Sequence, residues 1–194
     1  MTSDLRVALD VDSTLAATSE TAFDLLGVGG EYSYGDIESW TWGLDTFGEA
    51  AYLNALWHAW SIREHDIEPT EPNLRDKTAA LTPLADTLDV VTAHPQDGLM
   101  GVDEGKQRWL KRHEVFYDEY NSVEGNKHEL DYDVYIDDSP RLAERVVEHD
   151  AGEMLLYDQP YNRDDNIAVD PSEYKRVWSL SDAATYIELM GDSR

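Results

Sequence analysis

The chain of 194 residues is long enough for one hydrophobic core, or for a core domain that carries a smaller inserted one. It contains no cysteine, which excludes disulfides and thiolate metal sites, and no apolar run that is long enough to span a membrane. The 41 acidic residues outnumber the 15 basic ones, and the net charge of -26 argues against a long nucleic acid as partner. We interpret this charge as a solvated acidic surface suited to high salt, a halophilic trait. The N-terminus lacks the basic and apolar regions of a signal peptide, so we expect a cytoplasmic protein; no feature indicates an oligomeric state.

The first predicted element is a buried strand that ends in two carboxylates, Asp10 and Asp12. It spans residues 6 to 12 and is too apolar to alternate, as expected of a strand covered on both faces. Burying unpaired carboxylates is costly, but at the carboxyl end of a strand in an open α/β sheet they face the ligand crevice. There one can act as nucleophile and the other as general acid and base, with a divalent cation offsetting their repulsion. The alternative is a polar turn, since Asp and Ser are common turn residues.

The next segment, from residue 16 to about residue 68, interrupts the alternation of strands and helices. Thr18 is predicted to cap a short helix, and the residues from Tyr52 to Trp60 place large apolar side chains on one face of a second helix. We therefore predict that residues 16–72 form an inserted helical domain and that residues 1–15 and 73–194 form the core domain.

Aromatic residues are concentrated in this segment. Tyr34, Trp40 and Trp42 lie in a Gly-, Ser- and Asp-rich stretch that is typical of a loop. One interpretation is that they line a pocket for a flat ring, and the other is that they form the core of a small domain.

Beyond Pro72 the strands and helices alternate again. The second strand is predicted over residues 88–92 and ends in Thr92, whose hydroxyl can donate to a phosphate oxygen, although a Thr there is also common for structural reasons. A helix over residues 103–113 is predicted to carry Lys106 on its surface. A weaker strand over residues 116–123 precedes Lys127, which lies in a loop and is either solvated or functional.

A second pair of carboxylates, Asp137 and Asp138, ends the next predicted strand at residues 133–137. Ser139 is the expected N-cap of the helix that follows, with Pro140 at its first position. Paired Asp residues at a strand end suit a hard cation with oxygen ligands. Further strands are predicted at residues 154–157 and 174–178, and a final helix at residues 181–190.

The order of these motifs resembles the haloacid dehalogenase superfamily, and the two Asp residues of the first motif resemble its phosphatase branch. The resemblance implies an α/β fold, a three-layer Rossmann-like sandwich with a mostly parallel sheet and a small helical cap inserted after the first strand. It implies that Asp10 is the nucleophile that forms an aspartyl-phosphate and that Asp12 protonates the leaving oxygen and then activates water. It also implies a Mg²⁺ ion. The implied metal ligands are Asp10, the backbone carbonyl of Asp12, and the pair Asp137 and Asp138, with Asp138 as first choice; the implied phosphate-binding residues are Thr92, Ala93 and Lys127.

A narrower resemblance is to the 5'(3')-deoxyribonucleotidase group. It rests on the long insert, on the stretch from Lys106 to Lys111, and on the runs 136–140 and 156–163. It implies a small phosphoester substrate, a nucleoside monophosphate, with Trp40, Trp42, Tyr34 and Lys106 as pocket residues.

Two departures from the family pattern matter. Ser13 replaces the usual glycine, and the sequence before Lys127 differs, so Lys106 is the alternative phosphate-binding lysine. The alternatives in function are a phosphatase of another small phosphoester, such as a sugar phosphate, and, more distantly, a non-enzymatic phospho-receiver or binding domain.

Overall fold

The computed structural model of the chain describes residues 4–94, 101–163 and 166–191. Within these ranges six strands form one sheet, in the order β3-β2-β1-β4-β5-β6, and every neighbouring pair is parallel. The strands are β1 (Arg6–Leu9), β2 (Thr87–Ala93), β3 (Tyr120–Val123), β4 (Val134–Asp137), β5 (Glu153–Tyr157) and β6 (Lys175–Val177). The predicted α/β class with a parallel sheet is therefore confirmed.

Helices cover both faces of the sheet, which gives three layers. The side chains of β1 show this directly, because Val7 and Leu9 belong to one apolar cluster and Ala8 belongs to the other. The helices are α1 (Thr18–Leu25), α2 (Trp42–Phe47), α3 (Glu49–Ile62), α4 (Leu74–Leu81), α5 (Val102–Arg112), α6 (Pro140–His149) and α7 (Leu180–Gly191). Residues of α4, α5 and α7 pack in the first cluster, and residues of α6 pack in the second. Strands that are covered on both faces are expected to be apolar throughout, and the interior residues of β1, β4 and β5 are.

The segment between β1 and β2 contains α1, α2 and α3 and has an apolar cluster of its own. Phe23, Ile37 and Tyr52 form that cluster together with Tyr161, which comes from the loop after β5. The last turns of α3 pack elsewhere, since Trp60 lies in the main cluster against β1. The inserted segment therefore contacts the core in two places, through Tyr161 and through Trp60. A division of the chain into domains at residues 15 and 72 stays a prediction.

Several elements differ from those predicted. Thr18 does not cap α1, whose N-cap is Ala17; its hydroxyl donates to Asp12 instead. Trp42 begins a helix rather than lying in a loop. The predicted strand at residues 116–123 is shorter and starts at Tyr120, although Asp118 and Glu119 already form backbone hydrogen bonds to β2. In the described part of the chain, no helix combines the length and apolar character required to cross a bilayer.

Candidate active site

The carboxyl ends of β1 and β4 bring the two acidic motifs together. The strands are parallel neighbours, and the Asp10 N–H extends their pairing by donating to the Ile136 carbonyl at 3.0 Å. Asp10, Asp137 and Asp138 are all buried, and each offers a carboxylate oxygen within 4.8 Å of the others. The sequence predicts that all four carboxylates of the two motifs, including that of Asp12, lie at strand ends. The order of the strands in the sheet explains why three of them form one cluster.

Hydrogen bonds fix the orientation of the second acidic pair. The Ser139 N–H donates to Asp137 Oδ1 at 2.8 Å, and the Ser139 hydroxyl caps α6 by accepting from the Leu142 N–H at 3.2 Å, so the predicted cap is confirmed. The Tyr161 hydroxyl donates to Asp138 Oδ2 at 2.5 Å. These bonds hold both carboxylates toward Asp10 without neutralising them.

Lys127 supplies positive charge to the cluster. It begins a short 3-10 helix, is 8% exposed, and its Nζ lies 2.5 Å from Asp10 Oδ1 and 2.7 Å from Asp137 Oδ2. Burial alone would lower the pKa of Lys127, but the charges of Asp10 and Asp137 outweigh burial and raise it above its ordinary value. Lys127 therefore remains a cation at neutral pH and does not point to solvent.

One lysine does not balance three buried carboxylates. Burial raises the pKa of Asp10 from 3.8 to about 7, opposed by Lys127 and reinforced by the charges of Asp137 and Asp12. Burial, with the charges of Asp137 and Asp10, also raises the pKa of Asp138 well above its ordinary value. A further cation next to such carboxyl groups stabilises their ionised form. An all-oxygen donor set of this kind fits a hard divalent cation.

Asp12 faces a separate set of partners. Its Oδ2 lies 2.5 Å from Lys106 Nζ, and its Oδ1 accepts from Trp60 Nε1 at 2.6 Å and from the Thr18 hydroxyl at 2.8 Å. Its carboxylate is not part of the three-residue acidic cluster in the described residues. Burial raises the pKa of Asp12, but the charge of Lys106 and the hydrogen bonds outweigh it, so the net shift is downward. The two carboxylates of the first motif therefore have opposite pKa shifts, which is typical of a site that assigns them different roles.

Lys106 is buried rather than on the surface of α5, contrary to the sequence prediction. Its side chain is 1% exposed and its Nζ also donates to the Thr92 hydroxyl at 2.6 Å. The prediction was wrong because Trp109 and Leu110 define the inward face of α5, and Lys106 lies one turn before them on that same face. Both candidate lysines thus reach the site, one at Asp10 and the other at Asp12.

A cavity of about 590 Å³ opens onto these residues. Its polar end contains Asp10, Asp12, Lys106, Lys127 and the acidic pair, and Ala93 also lines it. Its other end is formed by apolar side chains of α2, α3 and the loop before them: Ile37, Trp40, Leu44, Leu53, Leu56 and Trp57. The cavity therefore joins a charged end to an apolar end, as expected of a site for an amphipathic small molecule.

The predicted pocket aromatics are only partly placed on this cavity. Trp40 lines it and is 39% exposed. Trp42 packs instead edge-on against Phe23 at 5.9 Å between ring centroids, within the cluster of the inserted segment. Tyr34 lies beside Tyr161, which does line the cavity, with 6.3 Å between their ring centroids. Thr92 is fully buried and is not a lining residue; it reaches the cavity through Lys106.

Sequence reasoning missed three side chains that hold the carboxylates. Trp60 and Thr18 bind Asp12, and Tyr161 binds Asp138. The spacing of Trp60 predicts an apolar residue on a helix face, and the structure agrees with that. Nothing in the spacing indicates that its N–H also donates to a carboxylate 48 residues away.

Comparison with known proteins identifies the family. The family model described as "5' nucleotidase, deoxy (Pyrimidine), cytosolic type C protein" matches residues 7–187. The chain belongs to this family. The match includes both acidic motifs, both lysines and the whole inserted segment. It supports a hydrolase, and the family as a whole acts on small nucleotides. No curated protein sequence matches the chain.

Solved structures share the fold at low sequence identity. The chain resembles a structure described as "Crystal Structure analysis of a Dehalogenase with intermediate complex", with a TM-score of 0.52 and 11% identity over 96% of this chain and 98% of that one. A second, described as "Crystal Structure analysis of a Dehalogenase", gives 0.51 and 12% over the same shares. At this identity the likeness concerns the fold alone, which is that of the haloacid dehalogenase superfamily.

Proposed function

We propose that this protein is a Mg²⁺-dependent phosphomonoester hydrolase that removes the 5' phosphate of nucleoside monophosphates through an aspartyl-phosphate. The observation that carries the proposal is the arrangement of the two Asp residues of the first motif. Asp10 belongs to a buried acidic cluster, whereas Asp12, two residues away, is separately held by Lys106. A nucleophile and a proton-transfer group are thus placed side by side in different environments, as two-step phosphoryl transfer requires.

In the first step an Asp10 carboxylate oxygen attacks phosphorus, the bond to the leaving oxygen breaks, and Asp12 gives that oxygen a proton. Asp12 carries this proton once the bound phosphate has engaged Lys106, whose charge lowers the pKa of Asp12 in the free protein. In the second step water attacks the phosphorus of the aspartyl-phosphate, Asp12 takes the proton from the water, and Asp10 is released. Phosphoryl transfer depends mostly on positioning and on positive charge near the transferred oxygens. Lys127 and Lys106 provide that charge on the two sides of the first motif, and we assign Thr92 and Ala93 to the same phosphate site.

The metal would be held by Asp10, Asp137 and Asp138, together with the backbone carbonyl of Asp12. The fit rests on the donor set: three buried carboxylates within 4.8 Å, with one lysine in contact with two of them. When bound, Mg²⁺ supplies charge neutralisation for the nucleophile and for the phosphoryl oxygens. Lys127 then keeps Asp10 oriented, since it already binds Oδ1, and Tyr161 keeps Asp138 in place.

The apolar end of the cavity supports a substrate with a flat, weakly polar group. Trp40, Trp57 and three Leu residues offer apolar surface on which a nucleobase can pack. The volume of the whole cavity, about 590 Å³, lies within the usual range for small-molecule sites. Family membership favours a deoxyribonucleotide with a pyrimidine base. A sugar phosphate is the second candidate, but it would leave the apolar end unfilled.

The experiment is a phosphate-release screen in molar KCl against ribo- and deoxyribonucleoside monophosphates, sugar phosphates and simple alkyl phosphates. Each substrate is assayed with Mg²⁺ and with excess chelator. We expect Mg²⁺-dependent release with the highest kcat/KM on a nucleoside monophosphate. A matched variant, Leu53→Asn, places a polar group in the apolar end and should raise KM for nucleotides more than for sugar phosphates. Higher kcat/KM on sugar phosphates, or no release from any phosphoester, would contradict the proposal.

A further inference from the structure

The carboxylate of Asp12 is held on one side by the inserted segment. Its Oδ1 accepts two hydrogen bonds, from Trp60 Nε1 at 2.6 Å and from the Thr18 hydroxyl at 2.8 Å. Its Oδ2 is bound by Lys106 Nζ, on the core domain side, at 2.5 Å. Donors on both oxygens restrict rotation of the carboxylate plane, so its orientation depends on residues of α1, α3 and α5 together.

The indole of Trp60 is itself rigidly placed. It is 2% exposed and packs edge-on against Trp109, with 6.0 Å between ring centroids. The backbone from which the indole projects is also held, since α5 lies so close that a Cβ atom on Gly105 would stand 1.9 Å from the Trp60 carbonyl oxygen. A donor that is fixed by packing in this way is preorganised and needs no further ordering when a substrate binds.

We propose that Trp60 is a positioning residue for Asp12, with Thr18 as its partner on the same oxygen. Together they fill the acceptor positions of Oδ1. Among the described residues Oδ2 accepts only from Lys106, so it keeps one acceptor position and is the atom that gives the proton to the leaving oxygen and takes it from water. This rests on the proposed function, in which Asp12 is the general acid and base. The alternative is that the nearby carboxylate merely satisfies a buried indole N–H, as buried polar groups generally require.

The two explanations differ in how they depend on the leaving group. An alkoxide needs a proton as it departs, whereas the anion of an acidic phenol departs without one, so help from a general acid matters far less for an aryl phosphate. A misplaced Asp12 should therefore slow cleavage of an alkyl phosphoester selectively. A purely structural loss should lower the activity on both substrates by the same factor.

The test is kcat/KM of the full chain, with Mg²⁺ in molar KCl, for a nucleoside monophosphate and for p-nitrophenyl phosphate. Trp60→Phe keeps an aromatic ring and removes the N–H; we expect kcat/KM to fall by about 10- to 100-fold on the nucleotide and by no more than about 3-fold on the aryl phosphate. The loss should appear in kcat, with KM little changed, because the contact acts on the reacting proton rather than on substrate binding.

Trp109→Phe is the matched control, because this neighbouring buried indole donates its N–H to the Ile67 carbonyl and does not line the cavity. It should change both substrates equally. Thr18→Val removes the other donor to Oδ1 at constant shape and should show the same selectivity to a smaller degree, so it carries the test if Trp60→Phe does not fold.

Equal losses on the two substrates, or no loss, in a folded Trp60→Phe or Thr18→Val protein would overturn the positioning role. Wild-type protein without activity on either phosphoester would instead refute the proposed function, so the two failures can be told apart.

Discussion

Replacing Asp10, the proposed nucleophile, should make the metal-free protein more stable. Asp10 is 6% exposed, and its pKa is raised from 3.8 to about 7 by burial and by the neighbouring carboxylates. When a carboxyl group has a higher pKa in the folded state than in the unfolded state, its contribution to stability is fully present below the unfolded-state pKa. That contribution is lost as pH rises through the folded-state pKa. Ionised Asp10 therefore costs stability at pH 7.5, and Asp10→Asn removes this cost.

The magnitude follows from the shift. Each pKa unit corresponds to about 1.4 kcal/mol, so a rise from 3.8 to about 7 gives a gain of about 4 kcal/mol for the variant at pH 7.5. Lys127 does not become an unpaired cation, because its contact with Asp137 at 2.7 Å remains. The gain should shrink as pH falls from about 7 toward 3.8 and should approach zero only below the unfolded pKa of 3.8, where Asp10 is protonated in both states.

Urea unfolding of wild type and Asp10→Asn at several pH values, with chelator and constant molar KCl, measures this difference. Adding Mg²⁺ should stabilise wild type more than the variant, since the metal binds the folded state and one ligand is lost in Asp10→Asn. A variant that is less stable than wild type at pH 7.5, or a gain that does not change with pH, would refute the electrostatic argument.

Three further predictions concern stability and salt. Ser13 has a φ of 64°, so Ser13→Gly should raise the free energy of unfolding by about 1 kcal/mol, measured by urea titration; a loss would show that the Ser13 side chain is required. Gly105→Ala should lower the free energy of unfolding by about 1–3 kcal/mol, because the added Cβ meets the Trp60 carbonyl. Gly35→Ala is the control, because its added Cβ makes only an ordinary van der Waals contact and its φ is ordinary. Because the Debye length falls from about 30 Å at 0.01 M to about 3 Å at 1 M, we expect the unfolding midpoint and kcat/KM both to rise along a KCl series at constant free Mg²⁺. A flat or falling response in both would mean that the charge of -26 has another purpose.

The local patterns of the chain predicted much of the fold. Continuous apolar strands indicated a covered parallel sheet, and the N-cap Ser139 with Pro140 located the start of α6. Asp10 and Asp137 could be placed at strand ends from the sequence, and the adjacency of β1 and β4 then brings them together. These features depend on residues that are near one another along the chain.

The features that were missed depend on contacts between distant segments. Lys106 contacts Asp12 across 94 residues, and its burial is possible only because a carboxylate is there to receive it. The sequence around Trp42 predicts a loop, whereas in the structure the ring of Trp42 packs against that of Phe23. Short-range periodicity contains no information about such partners, so Lys106 is assigned to the site only through the family resemblance.

The most direct test of the central claim is phosphate release by Asp10→Asn from the best nucleoside monophosphate, with Mg²⁺ in molar KCl. We expect a folded protein whose turnover is lower than that of wild type by many orders of magnitude, since the attacking carboxylate oxygen is gone. An Asp10→Asn protein that retains most of the wild-type turnover would contradict the aspartyl-phosphate mechanism.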